Sequence, residues 1–163
     1  QTCSASSRIL VQRGLYDAIV EAMAARYQAL VAKPAIEDGD LGPLISQRQK
    51  AIVENFLSQG HDLTLAATGQ ISDSAPAAGA YVKPHLFCDV APSHTLAQRE
   101  IFGPVQVIIP FDSDEDALEI ANGADYGLVA SLWTQNGAHQ MSMAKTLKSG
   151  QAFNKNYGAC GGG

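Results

Sequence analysis

The run Val105-Gln106-Val107-Ile108-Ile109-Pro110-Phe111 constrains the fold more than any other stretch of the sequence. It is almost continuously apolar, as a strand buried on both faces is. Layers of helix on either side of a sheet bury such a strand. The chain after it alternates. Ser113 opens a helix, with Asp116 three residues on and acids crowding the positive first turn, and Gly123 stops it. Residues 128–134 read as a strand, 137–148 as a helix, and 152–156, after Gly150, as a further strand. The pattern predicts an α/β fold: a mostly parallel sheet with helices on both faces.

The earlier part of the chain fits the same plan. Arg8–Gln12 is short, apolar-centred and closed by Gly14, which predicts a buried strand. Tyr16, Ile19, Val20, Met23, Tyr27 and Leu30 recur at helical spacing, so residues 15–31 read as an amphipathic helix that ends at Lys33-Pro34. Residues 35–43, with Gly39, Gly42 and several acids, read as a surface loop. Ser46-x-x-Gln49 has the form of a capping box, and Gly60 stands where that helix would end. Residues 62–67 are a candidate strand, 70–79 a loop, and 81–88 an extended segment.

A chain of 163 residues suits one domain with a real core. At 46% hydrophobic and 17% charged residues, it is no disordered tail. Charge this sparse points to surface that another chain or domain covers. The net charge is −5 and no Lys/Arg cluster occurs, so neither nucleic acid nor an anionic membrane is expected as a partner. No apolar run approaches the ~20 residues of a membrane span, and no signal peptide is evident. The three cysteines, Cys3, Cys88 and Cys160, are odd in number and not spaced as a metal clip, which fits a reducing, cytoplasmic setting. The chain opens on Gln1-Thr2-Cys3 and closes on Gly161-Gly162-Gly163, and is expected to be a fragment of a longer polypeptide.

Two segments carry candidate chemistry. Cys3 lies among small polar residues just before a strand, where a thiol is open to solvent and Arg8 is a nearby cation that would favour thiolate. The alternative is a surface thiol without a role. Cys88 follows Leu86-Phe87 and reads as a packed small hydrophobe, and nothing near Cys160 would activate it. Arg99-Glu100-Ile101-Phe102-Gly103-Pro104 sets an acid and an aromatic two apart, where extended side chains point the same way. Such a pair suits a ribose held by its hydroxyls and a flat heterocycle against the ring. The alternative is a turn into a core strand, with Glu100 solvated and Phe102 packed. His61, His85, His94 and His139 read as solvated, and none has a partner spacing that suggests a metal. No hydrolase triad, dinucleotide fingerprint or P-loop pattern occurs.

Together these segments resemble the aldehyde dehydrogenase family. Gln1-Thr2-Cys3-Ser4-Ala5-Ser6-Ser7-Arg8 is similar to its Gly-Gln-x-Cys nucleophile segment without the first glycine, and Glu100-Ile101-Phe102-Gly103-Pro104-Val105 to its E-x-F-G-P signature. Gly42-Pro43-Leu44-Ile45, Gly79-Ala80-Tyr81-Val82-Lys83-Pro84, Ala121-Asn122 with Tyr126-Gly127-Leu128, and Gly150-Gln151 before Asn156-Tyr157-Gly158 agree in order. The resemblance spans essentially the whole chain. It implies the catalytic domain of an enzyme that oxidises an aldehyde to an acid with NAD or NADP. Cys3 would be the nucleophile, passing through a thiohemiacetal and a thioester, and its own backbone N–H would help hold the oxyanion. Glu100 would bind the nicotinamide ribose, and Phe102 would pack near the nicotinamide.

The resemblance also implies what lies outside residues 1–163: most of the cofactor-binding domain, the general-base glutamate, the oxyanion-hole asparagine, and a C-terminal segment used in subunit pairing. The full-length protein is then expected to be a homodimer or homotetramer acting on a small-molecule aldehyde, and the isolated fragment to be inactive. One departure stands at Asn154-Lys155, where the family has an apolar residue and then an asparagine, so neither position is given a role. Two other functions remain open on the residues alone: a thiol esterase that needs no cofactor, and a non-catalytic interaction module.

Overall fold

The computed structural model of the chain describes residues 1–154. In chain order it contains β1 (Arg8–Gln12), α1 (Tyr16–Ala29), β2 (Val31–Ala32), α2 (Gln47–Ser58), β3 (Thr64–Thr68), β4 (Gln70–Ile71) and β5 (His85–Cys88). The remainder comprises α3 (Thr95–Gln98), β6 (Val105–Phe111), α4 (Asp114–Asn122), β7 (Val129–Leu132), α5 (Gly137–Thr146) and β8 (Gln151–Asn154). Four strands form the main sheet in the order β1-β6-β5-β3. β1 and β5 run parallel to β6 on either side, with Arg8 opposite Val107 and His85 opposite Val105. β3 is antiparallel to β5 and shifts register between Leu65 and Ala67. The fold is the expected α/β class.

The near-continuous apolar character of β6 has a direct cause. Successive side chains of a strand point to opposite faces. Val105, Val107 and Ile109 pack with Val53 of α2, Leu96 and Ala97 of α3, and Ile120 of α4. Ile108 turns the other way and packs with Val11, Leu86 and Cys88 under Val20, Met23 and Tyr27 of α1. Val107, Ile108 and Ile109 are fully buried, and each stabilises the fold by about 1.5–3 kcal/mol relative to exposure. Helices therefore do cover both faces. β7 and β8 pair with each other in parallel, and among the described residues they share no ladder with the four-stranded sheet. Between these strands, the end of α5 is tied to α4: Asn122 Nδ2 donates to the Thr146 carbonyl (3.1 Å) and the Lys148 N–H donates to Asn122 Oδ1 (2.7 Å).

Some element boundaries differ from expectation, each for a local reason. The first helix ends at Ala29 rather than near Val31. Leu30 turns to extended backbone, and Val31 and Ala32 pair with β4 instead, a two-residue strand that apolar periodicity reads as one more helical turn. The same pairing places Gln70 and Ile71, expected in a loop, in a strand. At α2, Ser46 Oγ accepts the Gln49 N–H (3.2 Å), as expected of a helix start. The Gln49 side chain does not reach back to Ser46 but donates to the Ile101 and Phe102 carbonyls. The candidate strand at 152–156 is present over Gln151–Asn154, and Lys155 and Asn156 lie outside the described residues. Among the described residues no helix is long and apolar enough to cross a membrane.

Candidate active site

Cys3 stands in a turn before β1, where the Ala5 N–H donates to the Thr2 carbonyl (3.0 Å), and its side chain is exposed. Cys88 sits in β5 within the core on the α1 side. Burial and the charge of the adjacent Asp89 push its thiol up. The two cysteines therefore differ as the sequence suggests. Cys160 lies outside the described residues, as does the Asn156-Tyr157-Gly158 segment.

The loop that carries Cys3 is fixed along the segment that leads into β6. At one end, Gln1 Nε2 donates to the Phe102 carbonyl (3.0 Å), while Gln1 Oε1 accepts the Ile45 N–H (2.8 Å). At the other, Gln106 Nε2 donates to the Ser6 carbonyl (2.7 Å), and the Val107 N–H donates to the Ser7 carbonyl (3.0 Å), the first rung of the β1–β6 ladder. An amide side chain can face either way, and Tyr27 decides it here: its hydroxyl donates to Gln106 Oε1 (2.5 Å), leaving Nε2 for Ser6. Burial pushes the Tyr27 hydroxyl far above the ordinary tyrosine value, so it stays a protonated donor.

The Glu100–Val105 segment lies between α3 and β6. Ile101 is buried, and Glu100 and Phe102 on either side of it are exposed, Phe102 to 39%. Phe102 adopts a φ of 57°, left-handed backbone that few side chains other than glycine tolerate. The extended geometry expected for this stretch is thus interrupted at Phe102, yet both side chains still reach the surface. Gly103 is required by packing: a Cβ there would meet Val53 Cγ2 at 2.6 Å. Phe102, Gln1, Pro43 and Ile45 line an open groove of about 370 Å³ next to the cysteine loop.

Arg8 is engaged at α4. Its Nη2 donates to the Ile120 carbonyl in the last turn of α4 (2.5 Å), a charge well placed at a helix C-terminus, and burial lowers its pKa. His61 is exposed as expected, whereas the other three histidines are more engaged than solvated side chains. His94 Nδ1 accepts the Leu96 N–H and caps α3 (3.1 Å). His139 Nε2 lies 2.6 Å from Asp114 Oδ2. His85 sits in β5, bonds the Lys83 carbonyl (2.7 Å) and stacks on Phe87. Sequence reasoning took Gln1 and Gln49 only as members of a motif and passed over Gln106. Gln106 carried a usable signal, a lone amide between valines in an otherwise apolar strand, where burial demands a partner. Gln49 was masked by the capping pattern.

An exposed thiol thus stands in a turn whose Gln1 side chain is bonded to the Phe102 carbonyl, beside the exposed Glu100 and Phe102 side chains, on an α/β domain. The family model for aldehyde dehydrogenases matches residues 1–159, and this chain belongs to the aldehyde dehydrogenase family. An aldehyde dehydrogenase of Didymella fabae is 37% identical over 161 residues, 96% of this chain and 33% of the relative. A solved structure from Burkholderia cenocepacia is 47% identical with a TM-score of 0.95, over 97% of this chain and 34% of that one. The NAD+ complex of a Bacillus cereus aldehyde dehydrogenase is 37% identical with a TM-score of 0.90, over 98% of this chain and 33% of that one. The chain spans about a third of the length of the relatives it matches.

Proposed function

We propose that this chain is the thiol-bearing catalytic part of an NAD(P)-dependent aldehyde dehydrogenase that oxidises a small aldehyde to its acid. The observation that carries this reading is the Gln1–Phe102 bond, which sets the exposed Cys3 two residues from a direct contact with the Glu-Ile-Phe-Gly-Pro segment. The residues present fit a dinucleotide: Glu100 offers an exposed carboxylate to ribose hydroxyls, and Phe102 offers a partly exposed ring to a flat heterocycle. When bound, the cofactor supplies the acceptor for the hydride that leaves the aldehyde carbon.

Each of the chain's own groups then has a task. The Cys3 thiolate adds to the aldehyde carbon and forms a thiohemiacetal, whose oxyanion takes a hydrogen bond from the Cys3 backbone N–H. Loss of hydride leaves a thioester on Sγ, which water cleaves to the acid and the free thiol. Thiolate is the right nucleophile because it adds readily to a carbonyl and leaves readily from an acyl group. Glu100 and Phe102 hold the acceptor beside that carbon. The general base and the second oxyanion donor come from the rest of the polypeptide, as does most of the cofactor site. The exposed Ile45 and Trp133 suit a surface that the remainder of a cytoplasmic, dimeric or tetrameric enzyme covers.

The test uses the full-length enzyme and the 163-residue chain in parallel. With a panel of aldehydes and NAD or NADP, the full enzyme forms reduced cofactor and its Cys3→Ser variant does not. The chain alone gives no turnover, because lost positioning and a lost base each cost orders of magnitude. Undiminished turnover by Cys3→Ser would overturn the reading. Cofactor-free ester cleavage abolished by Cys3→Ser, in a natural chain of this length, would favour the esterase alternative.

A further inference from the structure

The Phe102 carbonyl accepts two side-chain amides at once. Gln1 Nε2 approaches from the cysteine loop (3.0 Å) and Gln49 Nε2 from the first turn of α2 (3.4 Å). The same Gln49 amide donates to the Ile101 carbonyl (3.0 Å), and Gln1 Oε1 holds the Ile45 N–H (2.8 Å). Three segments distant in sequence therefore meet at one peptide group: the cysteine loop, the 42–46 loop with α2, and the acid–aromatic turn. That peptide group belongs to a phenylalanine with φ of 57°. A non-glycine residue persists in such a conformation only where its surroundings over-determine it.

We propose that Gln1 and Gln49 are positioning residues for the reaction, which hold the left-handed Phe102 turn, and with it Glu100, at a set distance from the Cys3 sulfur. The proposal rests on the functional reading above. Neither amide touches the reacting atoms. Gln49 acts as a donor alone, on two successive carbonyls. Gln1 acts as donor and acceptor, so its two bonds can be separated by chemistry. A carboxylate at position 1 keeps an acceptor for the Ile45 N–H but has no donor for Phe102, and sets negative charge against a carbonyl oxygen. A methionine at position 1 keeps the length and loses both bonds.

The experiment takes the full-length enzyme with Gln1→Glu, Gln1→Met and Gln49→Glu. It measures NAD+ affinity by calorimetry without aldehyde, KM for NAD+ and kcat normalised to titrated active sites, and amide hydrogen exchange at Ile45. A hydrogen bond of ordinary net strength corresponds to about two- to tenfold in an equilibrium constant. NAD+ affinity should fall by at least that factor in all three variants, with KM for NAD+ rising in step. Exchange at Ile45 should quicken about tenfold in Gln1→Met and stay near the parent rate in Gln1→Glu. A role confined to folding would lower Tm and the count of active sites and leave KM and affinity per site unchanged, and that result overturns the proposal. Equal Ile45 exchange in Gln1→Met and the parent overturns it as well. Failure of the functional reading looks different: the parent enzyme itself would bind no NAD+, or Cys3→Ser would turn over.

Discussion

Gly103 offers a sharp test of how the acid–aromatic segment is seated. Changing it to alanine would set a Cβ 2.6 Å from Val53 Cγ2 and 3.2 Å from Cγ1. Val53 is fully buried on α2 and branched at Cβ, so it has one comfortable rotamer in a helix and cannot swing aside. Overpacking of this kind costs about 1–3 kcal/mol. For a domain of this size that corresponds to about 2–12 °C in Tm. Val53→Ala alone removes two buried methyl groups, about 1.6 kcal/mol of transfer free energy plus the cost of the space left behind. In the double variant the methyls that clash are gone, and the two Cβ atoms stand at an ordinary 3.5 Å. The pair should then be less destabilising than the sum of the singles by about 1–3 kcal/mol. Urea unfolding of the four proteins, each with its m-value, measures this directly. Additivity to within about 0.5 kcal/mol would refute the reasoning.

Three further outcomes follow from the same contacts. Tyr27→Phe leaves the Gln106 carbonyl oxygen without its donor, and should cost about 1–3 kcal/mol of stability in the same assay; a value near zero would mean that the Gln106 amide has another orienting partner. Iodoacetamide at neutral pH should modify the exposed Cys3 well before the buried Cys88, read by peptide mass spectrometry, and equal rates would contradict the burial described. Burial holds the His85 imidazole below its ordinary pKa, despite the opposing bond to Lys83, so the unfolded chain binds more protons than the folded one once pH drops below about 6.5. Stability from this group is therefore complete above that pH and lost on acidification. Melting curves between pH 7.5 and 5 should show a shallower decline in His85→Leu than in the parent.

Much of the layered arrangement was legible because β6 is apolar on both faces, a pattern that leaves few architectures. Ser46 and Ser113 marked helix starts, and each accepts the expected N–H three residues on. Short-range rules failed where a partner far along the chain decided the outcome. Val31 and Ala32 continue a helical period, and only pairing with Gln70 and Ile71 makes them strand. Arg8 donates to the Ile120 carbonyl of α4, a partner that no short-range rule names. Cys3, Glu100 and Phe102 were visible as types of residue in unusual settings. Of the glutamines that connect their segments, only Gln106 carried a signal, as a lone amide in an apolar strand; for Gln1 and Gln49 the role shows only in where the two ends of the amide land.

The bonds at Gln1, Ser6 and Ser7 fasten the first residues of the chain at two ends, to position 102 and to positions 106 and 107. Two strips fastened at both ends must match in length. Many side chains along either strip can change without altering the gap between sulfur and ring, whereas adding or removing a single residue in one of them forces a buckle or a slipped register. Tolerance here is therefore a matter of counting: this corner of the protein should accept substitutions and reject insertions.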